Sequence, residues 1–221
     1  MIMTLESSNV KTGNMCQVWI LREDINPVEA LNIGEDYSIC GNCPHRKTLI
    51  DGVWVRSCYV NVGQAPNSVW KSYKRGLYVD LTDPAIMADT NLSVLLNGRK
   101  IRWGAYGDPA IIDPDVVNEF NLYADGHTGY THQWREQFAQ VFKGIFQASC
   151  DGMADYLDAS AHGWKTFAVV PKGQNAFSGK QCPATIDGSS AQCRTCSLCD
   201  GAKTDIFVEA HGSGAKHFVG V

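Results

Sequence analysis

Short apolar runs alternate with amphipathic stretches through the second half of the chain. Runs rich in β-branched and aromatic residues predict strands at 101–106, 128–134, 144–149, 165–171 and 204–212. Capping residues followed by helical periodicity predict helices at 113–125 and 151–163, and a short helix that ends near residue 142. Strand and helix in alternation are typical of a parallel sheet covered by helices. The pattern therefore predicts an α/β fold, a partial or complete TIM-like parallel barrel.

The first half of the chain is less regular. It predicts a first strand at 15–22, a short strand at 76–81, and helices at 66–75 and 83–100. Loop structure is expected from the first strand to about residue 66, with a hairpin that turns at Asp51-Gly52. No repeat or low-complexity linker interrupts the pattern, so we predict a single domain over residues 1–221.

Four cysteines lie in the segment 182–199: Cys182, Cys193, Cys196 and Cys199. The C-x2-C-x2-C spacing of the last three brings their thiols onto one short loop, as in ferredoxin-type loops that hold three corners of a [4Fe–4S] cluster. Cys182, which precedes Pro183, is available as the fourth ligand. We predict a [4Fe–4S] site, with zinc as the alternative because four thiolates also suit that ion.

A second group lies in the segment 39–58, where Cys40, Cys43 and Cys58 are spaced C-x2-C-x14-C. Three thiols can hold three irons of a cubane and leave the fourth iron open. Two alternatives would close the site: Cys16 as a fourth thiol, or His45 in a Cys3His zinc site. Cys150, at a predicted strand end, is a further candidate ligand or a packed apolar residue.

Working residues of a parallel barrel lie at the carboxyl ends of its strands. We expect both cysteine loops on that face, together with Asp108, His132 and His211 as candidate catalytic residues. Asp108 can equally cap the turn that follows its strand. Either histidine can equally be a packed rim residue.

Charge and apolar content limit the classes of partner. The formal net charge is −4, which does not support a dedicated nucleic-acid binder. The sequence has neither a signal-peptide pattern nor an apolar run of membrane-spanning length. We therefore expect a cytoplasmic protein without a membrane partner, which acts on a small molecule or a host protein. In a reducing cytosol its nine cysteines are read as metal ligands before disulfides.

Six stretches together resemble a family of proteins encoded in bacteriophage and prophage genomes. They are ICGNCPHR (39–46), SCYVNVGQAPNSVWK (57–71), RWGAYGDPA (102–110), GYTHQW (129–134), GWKTFAVVP (163–171) and CRTCSLCDG (193–201). The resemblance implies a phage-encoded protein that works in the cytoplasm of the infected bacterium. It implies no particular reaction.

The first cysteine group also resembles the radical-SAM superfamily, which places three cysteines after the first barrel strand. Tyr59 adjoins Cys58, as an aromatic residue often does there, but the superfamily spacing is C-x3-C-x2-C. The likeness implies S-adenosylmethionine as a cofactor, held by a glycine-rich turn for which Gly104, Gly107 and Asp108 are the candidates. It implies redox or radical chemistry. The alternative from another class is a zinc-stabilised interaction protein that modulates a host factor.

Overall fold

The computed structural model describes residues 1–173 and 178–210. Its strands are β1 (Ile2–Thr4), β2 (Cys16–Trp19), β3 (Thr48–Ile50), β4 (Val53–Val55), β5 (Ile101–Tyr106), β6 (His127–Thr128), β7 (Tyr130–Thr131), β8 (Gln147–Cys150), β9 (Thr166–Val170), β10 (Lys180–Gln181) and β11 (Ile206–Glu209). Its α-helices are α1 (Pro27–Ile33), α2 (Tyr37–Cys40), α3 (Ala65–Lys74), α4 (Pro84–Asp89), α5 (Leu92–Leu96), α6 (Pro114–Tyr123), α7 (Met153–Ala161) and α8 (Cys193–Cys196). Segments of 3-10 helix lie at Pro109–Ile111, Gln137–Phe142 and Pro183–Thr185.

The fold is mixed α/β with mainly parallel sheets, as the alternating pattern predicts. In one sheet β2, β5 and β6 are parallel neighbours, and β1 is antiparallel at the edge. The other sheet is parallel throughout, in the order β7, β8, β9, β11, β10. Only Gly129 separates β6 from β7, so one stretch of chain passes from the first sheet into the second. Apart from the β3–β4 hairpin, neighbouring strands thus follow chain order from β1 to β9.

The two faces of the sheet differ in polarity. On β5, Ile101 and Trp103 are buried, whereas Arg102 between them is only half-buried. Trp103 meets Phe120 of α6 edge-on at a ring distance of 6.1 Å, so this face packs against the helices. Arg102 is in register with Gln17 of β2 and Thr128 of β6. Cross-strand partners point the same way, which gives the opposite face a polar row.

Local signals explain several elements. The Asp113 side chain accepts a hydrogen bond from the backbone N–H of Asp115, and Pro114 occupies the first turn of α6. Asp51 and Gly52 both have positive φ, 50° and 77°, as a type I′ hairpin turn requires. The longest α-helices of residues 1–173 and 178–210 have ten residues, and no helix there combines the length and apolar character needed to cross a membrane.

Three sequence predictions for the first half are wrong. Residues 76–81 form no strand, and Leu77 there is 66% exposed. The predicted helix 83–100 is two helices, because Asn91 caps α5 by accepting a hydrogen bond from the N–H of Val94. The predicted loop before residue 66 contains α1, whose start is fixed by the Asn26 cap and by Pro27.

Candidate metal centres

Four cysteines converge on one recess. Cys182, Cys193, Cys196 and Cys199, here called the C-terminal cysteine cluster, line one small recess with a free volume of about 10 Å³. The other lining residues are mostly apolar: Pro183, Ala184, Leu198 and Ile206, with Thr128 and Ser197. All nine cysteines of the chain are free thiols. The convergence that the spacing predicts is therefore present, with every sulfur available as a ligand.

The path of the chain explains where the recess lies. β10 is parallel to β11, with Lys180 beside Ile206 and Gln181 beside Phe207. A chain that leaves β10 must therefore return to the start of β11 before it can re-enter the sheet. Cys193–Cys199 lie on this return, which ends at Ile206, itself part of the recess wall.

This return path corrects one prediction. The loop was expected at the carboxyl ends of the strands, but it is anchored near their amino ends. The backbone N–H of Cys193 donates to the carbonyl of Lys11, before β2, at 3.0 Å. Lys100, the residue before β5, donates from Nζ to Ser197 Oγ at 2.7 Å. The prediction missed β10, which sends the chain back across the sheet.

Arg102 and Tyr130 complete the surroundings of the C-terminal cysteine cluster. Burial raises the pKa of Cys193, and the guanidinium of Arg102 opposes that rise. Burial likewise raises the pKa of Cys199, against a hydrogen bond from Tyr130. Arg102 also donates to Gln17 Oε1 at 3.2 Å and to the hydroxyl of Tyr59 at 3.1 Å. A positive charge and a hydroxyl donor thus lie beside the thiols.

Cys40, Cys43 and Cys58, here called the N-terminal cysteine group, lie beyond the carboxyl ends of β2, β5 and β7. Burial raises the pKa of Cys40 to about 12, and nearby negative groups add to the rise: Asp36, Cys58 and Asp108. Burial also raises the pKa of Cys43, and the charges of Cys40 and Cys58 add to that rise. The three thiols are thus within electrostatic reach of one another, as predicted for this loop. The N–H of Cys58 donates to the carbonyl of His45 at 3.2 Å, which brings the distant third cysteine to the other two.

Gln133 fastens the first two cysteines. Its Oε1 accepts from the N–H of Asn42 at 3.0 Å, and its Nε2 donates to the carbonyl of Cys40 at 3.0 Å. The side chain is 1% exposed, so the clamp is shielded from water. Gly41, between the clamped residues, has a φ of 55°, and a Cβ there would lie 2.5 Å from Gln133 Oε1. The loop can approach the amide only with glycine at this position.

The imidazole of His132 contacts the N-terminal cysteine group, whereas His45 meets this group through its backbone. His132 Nδ1 lies 3.5 Å from Cys43 Sγ. His45 instead contacts Ser57 Oγ through Nδ1 at 2.7 Å and Asp151 Oδ1 through Nε2 at 2.8 Å. The imidazole of His45 is thus placed between Ser57 and Asp151. Burial lowers the pKa of His132, although the charge of Asp151 opposes the shift.

Asp108 is fully occupied by the protein's own groups. Its Oδ1 accepts from the N–H of Ala110 at 3.0 Å and from Thr131 Oγ1 at 2.7 Å. Its Oδ2 accepts from the N–H of His132 at 2.8 Å and faces Gln133 Nε2 at 3.4 Å. It therefore caps the 3-10 turn, which is the alternative that the sequence left open, and it positions His132.

Gly104 and Gly107 are required by packing. A Cβ on Gly104 would lie 2.9 Å from the carbonyl oxygen of Gly107, and one on Gly107 would lie 2.6 Å from Cβ of Ile20. Both have positive φ. The space beside these glycines is filled by the chain itself.

Two of the remaining candidates are buried in the sheets, Cys16 on β2 and Cys150 on β8. The Cys16 thiol lies 3.6 Å from the carbonyl oxygen of Leu5. Burial raises the pKa of Cys16, and the charge of Arg99 opposes the rise. Cys150 is buried, with its thiol 3.5 Å from the carbonyl of Ala148. His211 lies outside the described residues.

Sequence analysis assigns no role to Gln133 or Asp151. Asp151 is 6% exposed and directly follows β8, and the rule that working residues lie at strand ends does select this position, though with no particular role. No sequence pattern identifies Gln133, whose partners are 91 and 93 residues away. Comparison of the chain with protein-family models, with curated proteins and with solved structures gave no match.

Proposed function

We propose that the protein is an iron–sulfur protein and that the C-terminal cysteine cluster holds a [4Fe–4S] cluster. The observation that carries the proposal is that four free thiols line a single recess. Thiolates are the ligands that iron–sulfur clusters require, and three of these four are spaced as in ferredoxin-type loops. Zinc, which accepts the same four ligands, is the competing occupant.

The surroundings of the recess suit a negatively charged cofactor. Four thiolates bring negative charge into a partly buried site, and the guanidinium of Arg102 offsets part of it beside Cys193. The hydroxyl of Tyr130 donates to Cys199. Hydrogen bonds to the sulfurs and a nearby positive charge tune the reduction potential of such a site. A bound cluster would supply one-electron redox chemistry, and the apolar wall would limit the access of water.

The N-terminal cysteine group supports a second, more open cluster as part of the same proposal. It offers three thiols, and Asp108 and His132 lie beside them. Redox or radical chemistry would take place here, with His132 near the reacting groups and Asp108 positioning it. S-adenosylmethionine held by Gly104, Gly107 and Asp108 is the least supported part, because the chain's own contacts account for all three residues.

We also propose that the sheets form part of a barrel and that the protein is encoded by a phage. Neighbouring strands in chain order support a partial TIM-like barrel. The six sequence motifs support a phage-encoded protein of the bacterial cytoplasm, whose partner is a small molecule or a host protein.

Anaerobic purification tests the proposal. We expect a brown protein with iron and acid-labile sulfide in equal amounts, roughly four of each per cluster. Cys196→Ser should lose one cluster and keep the other. Cys16→Ala, which changes a thiol outside both groups, should keep the full content.

Two results would contradict the proposal. Zinc in place of iron and sulfide in the wild-type protein would favour the zinc-stabilised interaction protein. Unchanged iron and sulfide in Cys196→Ser would show that Cys196 is not a ligand.

A further inference from the structure

Two histidines and one aspartate meet beside the N-terminal cysteine group. His45 comes from the loop after α2, His132 follows β7, and Asp151 follows β8. One ligand atom from each lies within 4.8 Å of the other two. Three segments distant in sequence thus bring together the side chains that divalent transition metals prefer.

Two polar atoms of this group face each other without a hydrogen bond. His132 Nε2 and Asp151 Oδ2 are buried and have no hydrogen-bond partner among the described residues. They lie 3.8 Å apart, and the Asp151 side chain is 8% exposed. A buried polar atom without a partner destabilises the fold unless a ligand satisfies it. The hydrogen bond between His45 and Asp151 uses Oδ1 and leaves both of these atoms unexplained.

A cation between the two atoms would satisfy both. Ligand bonds of ~2.1 Å place neighbouring donor atoms on one ion roughly 3.0–3.4 Å apart. The two distances in the structure lie on either side of this range. His45 Nε2 is 2.8 Å from Asp151 Oδ1, and His132 Nε2 is 3.8 Å from Asp151 Oδ2. Small side-chain movements would bring the three residues to one ion.

The outer ring nitrogens of both histidines are also held. His45 Nδ1 contacts Ser57 Oγ at 2.7 Å, and His132 Nδ1 contacts Cys43 Sγ at 3.5 Å. Histidines that bind metals almost always have such a partner on the other nitrogen, which fixes the ring and its tautomer. The ring orientation that a metal site needs is therefore already set.

We propose that His45, His132 and Asp151 bind one divalent first-row transition ion, separate from the cysteine clusters. Two imidazoles and one carboxylate leave coordination positions open, as in catalytic zinc sites and non-haem iron sites. The site adjoins the N-terminal cysteine group through the contact of His132 with Cys43. It goes beyond the proposed function and does not depend on it.

Co²⁺ is the probe for this site. The full-length protein is reconstituted with iron and sulfide under anaerobic conditions and dialysed against Co²⁺. We expect one Co²⁺ per chain, with only nitrogen and oxygen ligands in the cobalt-edge X-ray absorption spectrum. Asp151→Asn and His132→Gln should each weaken Co²⁺ binding by about 100-fold or more. Ser57→Ala, which removes an outer partner, should weaken it roughly 10-fold.

His162→Gln is the matched control, because His162 is an exposed histidine whose side chain is 69% accessible. It should bind Co²⁺ as the wild type does. Melting temperature and sulfide content of each variant show whether the fold and the clusters are retained. In protein that keeps its sulfide, full Co²⁺ binding by Asp151→Asn, sulfur among the cobalt ligands, or no Co²⁺ uptake by the wild type would each overturn the proposal. Loss of sulfide from the wild type would count against the proposed clusters alone.

Discussion

The two cysteine regions differ in their electrostatic surroundings. Basic groups surround the C-terminal cysteine cluster: Arg102 lies beside Cys193, and Lys100 and Lys203 both donate to Ser197. The N-terminal cysteine group has acidic groups and histidine beside it, namely Asp36, Asp108, His132 and, through His132, Asp151, together with Arg46 and Arg56. Burial raises thiol pKa values in both regions, but Arg102 opposes the rise in the pKa of Cys193, whereas Asp36 and Asp108 add to the rise in the pKa of Cys40.

The difference indicates a division of labour. Four thiols with basic neighbours form a closed set that can hold a cofactor without help from other side chains. Three thiols with acidic neighbours lack a fourth cysteine, and burial with those neighbours raises the pKa of Cys40 to about 12. A cation that binds beside Cys40 would favour ionisation of its thiol. The C-terminal region is thus suited to a permanent cofactor, and the N-terminal region to an open metal site.

Removal of the metals should have the largest effect on stability. Metal binding is coupled to folding where a long loop supplies the ligands, so we expect the stripped protein to melt several degrees lower. The C-terminal cysteine cluster should account for most of the change, because its loop has little regular structure between Pro183 and Ile206. Calorimetry of the wild type, Cys196→Ser and Cys43→Ser measures each share. An unchanged melting temperature after removal of the metals would show that neither cysteine loop contributes to stability through its metal.

Gly201→Ala should be the most damaging single substitution near the C-terminal cysteine cluster. Gly201 has a φ of 81°, and a Cβ there would lie 2.5 Å from the carbonyl carbon of Ile145. Backbone cannot yield as a side chain can, so we expect a loss of about 3 kcal/mol in the free energy of unfolding.

Gly188→Ala is its matched control. Gly188 has a φ of 76° with no atom within 4 Å of the added Cβ, so the cost should be only about 1 kcal/mol. Urea unfolding of both variants checks the difference. Equal losses would show that the loop is not held against residues 145 and 146.

Gln133→Ala should disturb the N-terminal cysteine group selectively. It removes the clamp on Cys40 and Asn42 and leaves a cavity, so we expect a loss of about 2 kcal/mol and lower metal occupancy at this group. Gln192→Ala, which removes a single exposed hydrogen bond to Val10, should cost less than about 1 kcal/mol. Iron analysis of each variant in a Cys196→Ser background measures the N-terminal occupancy. Full occupancy in Gln133→Ala would mean that the clamp does not position the cysteines.

Arg102→Gln should have the smallest effect, confined to redox behaviour. Loss of a positive charge beside Cys193 makes reduction of the C-terminal cluster less favourable, so its midpoint potential should fall by roughly 30–60 mV, about 1 kcal/mol for one electron. Arg56→Gln is the control, because Arg56 donates to the carbonyls of Cys58 and Val60 at the other group. A redox titration followed by electron paramagnetic resonance measures both. A potential unaffected by Arg102→Gln would show that its charge is screened from the cluster.

Local sequence signals predict elements in both halves of the chain. The strand at 101–106, the helix that begins at Pro114 and the hairpin at Asp51-Gly52 are all present. Each depends on a cap, a turn residue or an apolar run that acts over a few residues. The strand predicted at 76–81 fails because an apolar run forms a strand only where a neighbouring strand accepts its hydrogen bonds.

The sequence by itself determined that Cys193, Cys196 and Cys199 share one loop, because only two residues separate each cysteine from the next. Only the tertiary structure decided which face of the sheet this loop covers, since that depends on the pairing of β10 with β11. It also decided that His132 meets Cys43 and that Asp151 meets His45. Those partners are 89 and 106 residues apart, and parallel strand order alone brings the ends of β7 and β8 beside the loop after β2. Spacing fixes chemistry within a loop, whereas contacts between loops depend on the order of the strands that carry them.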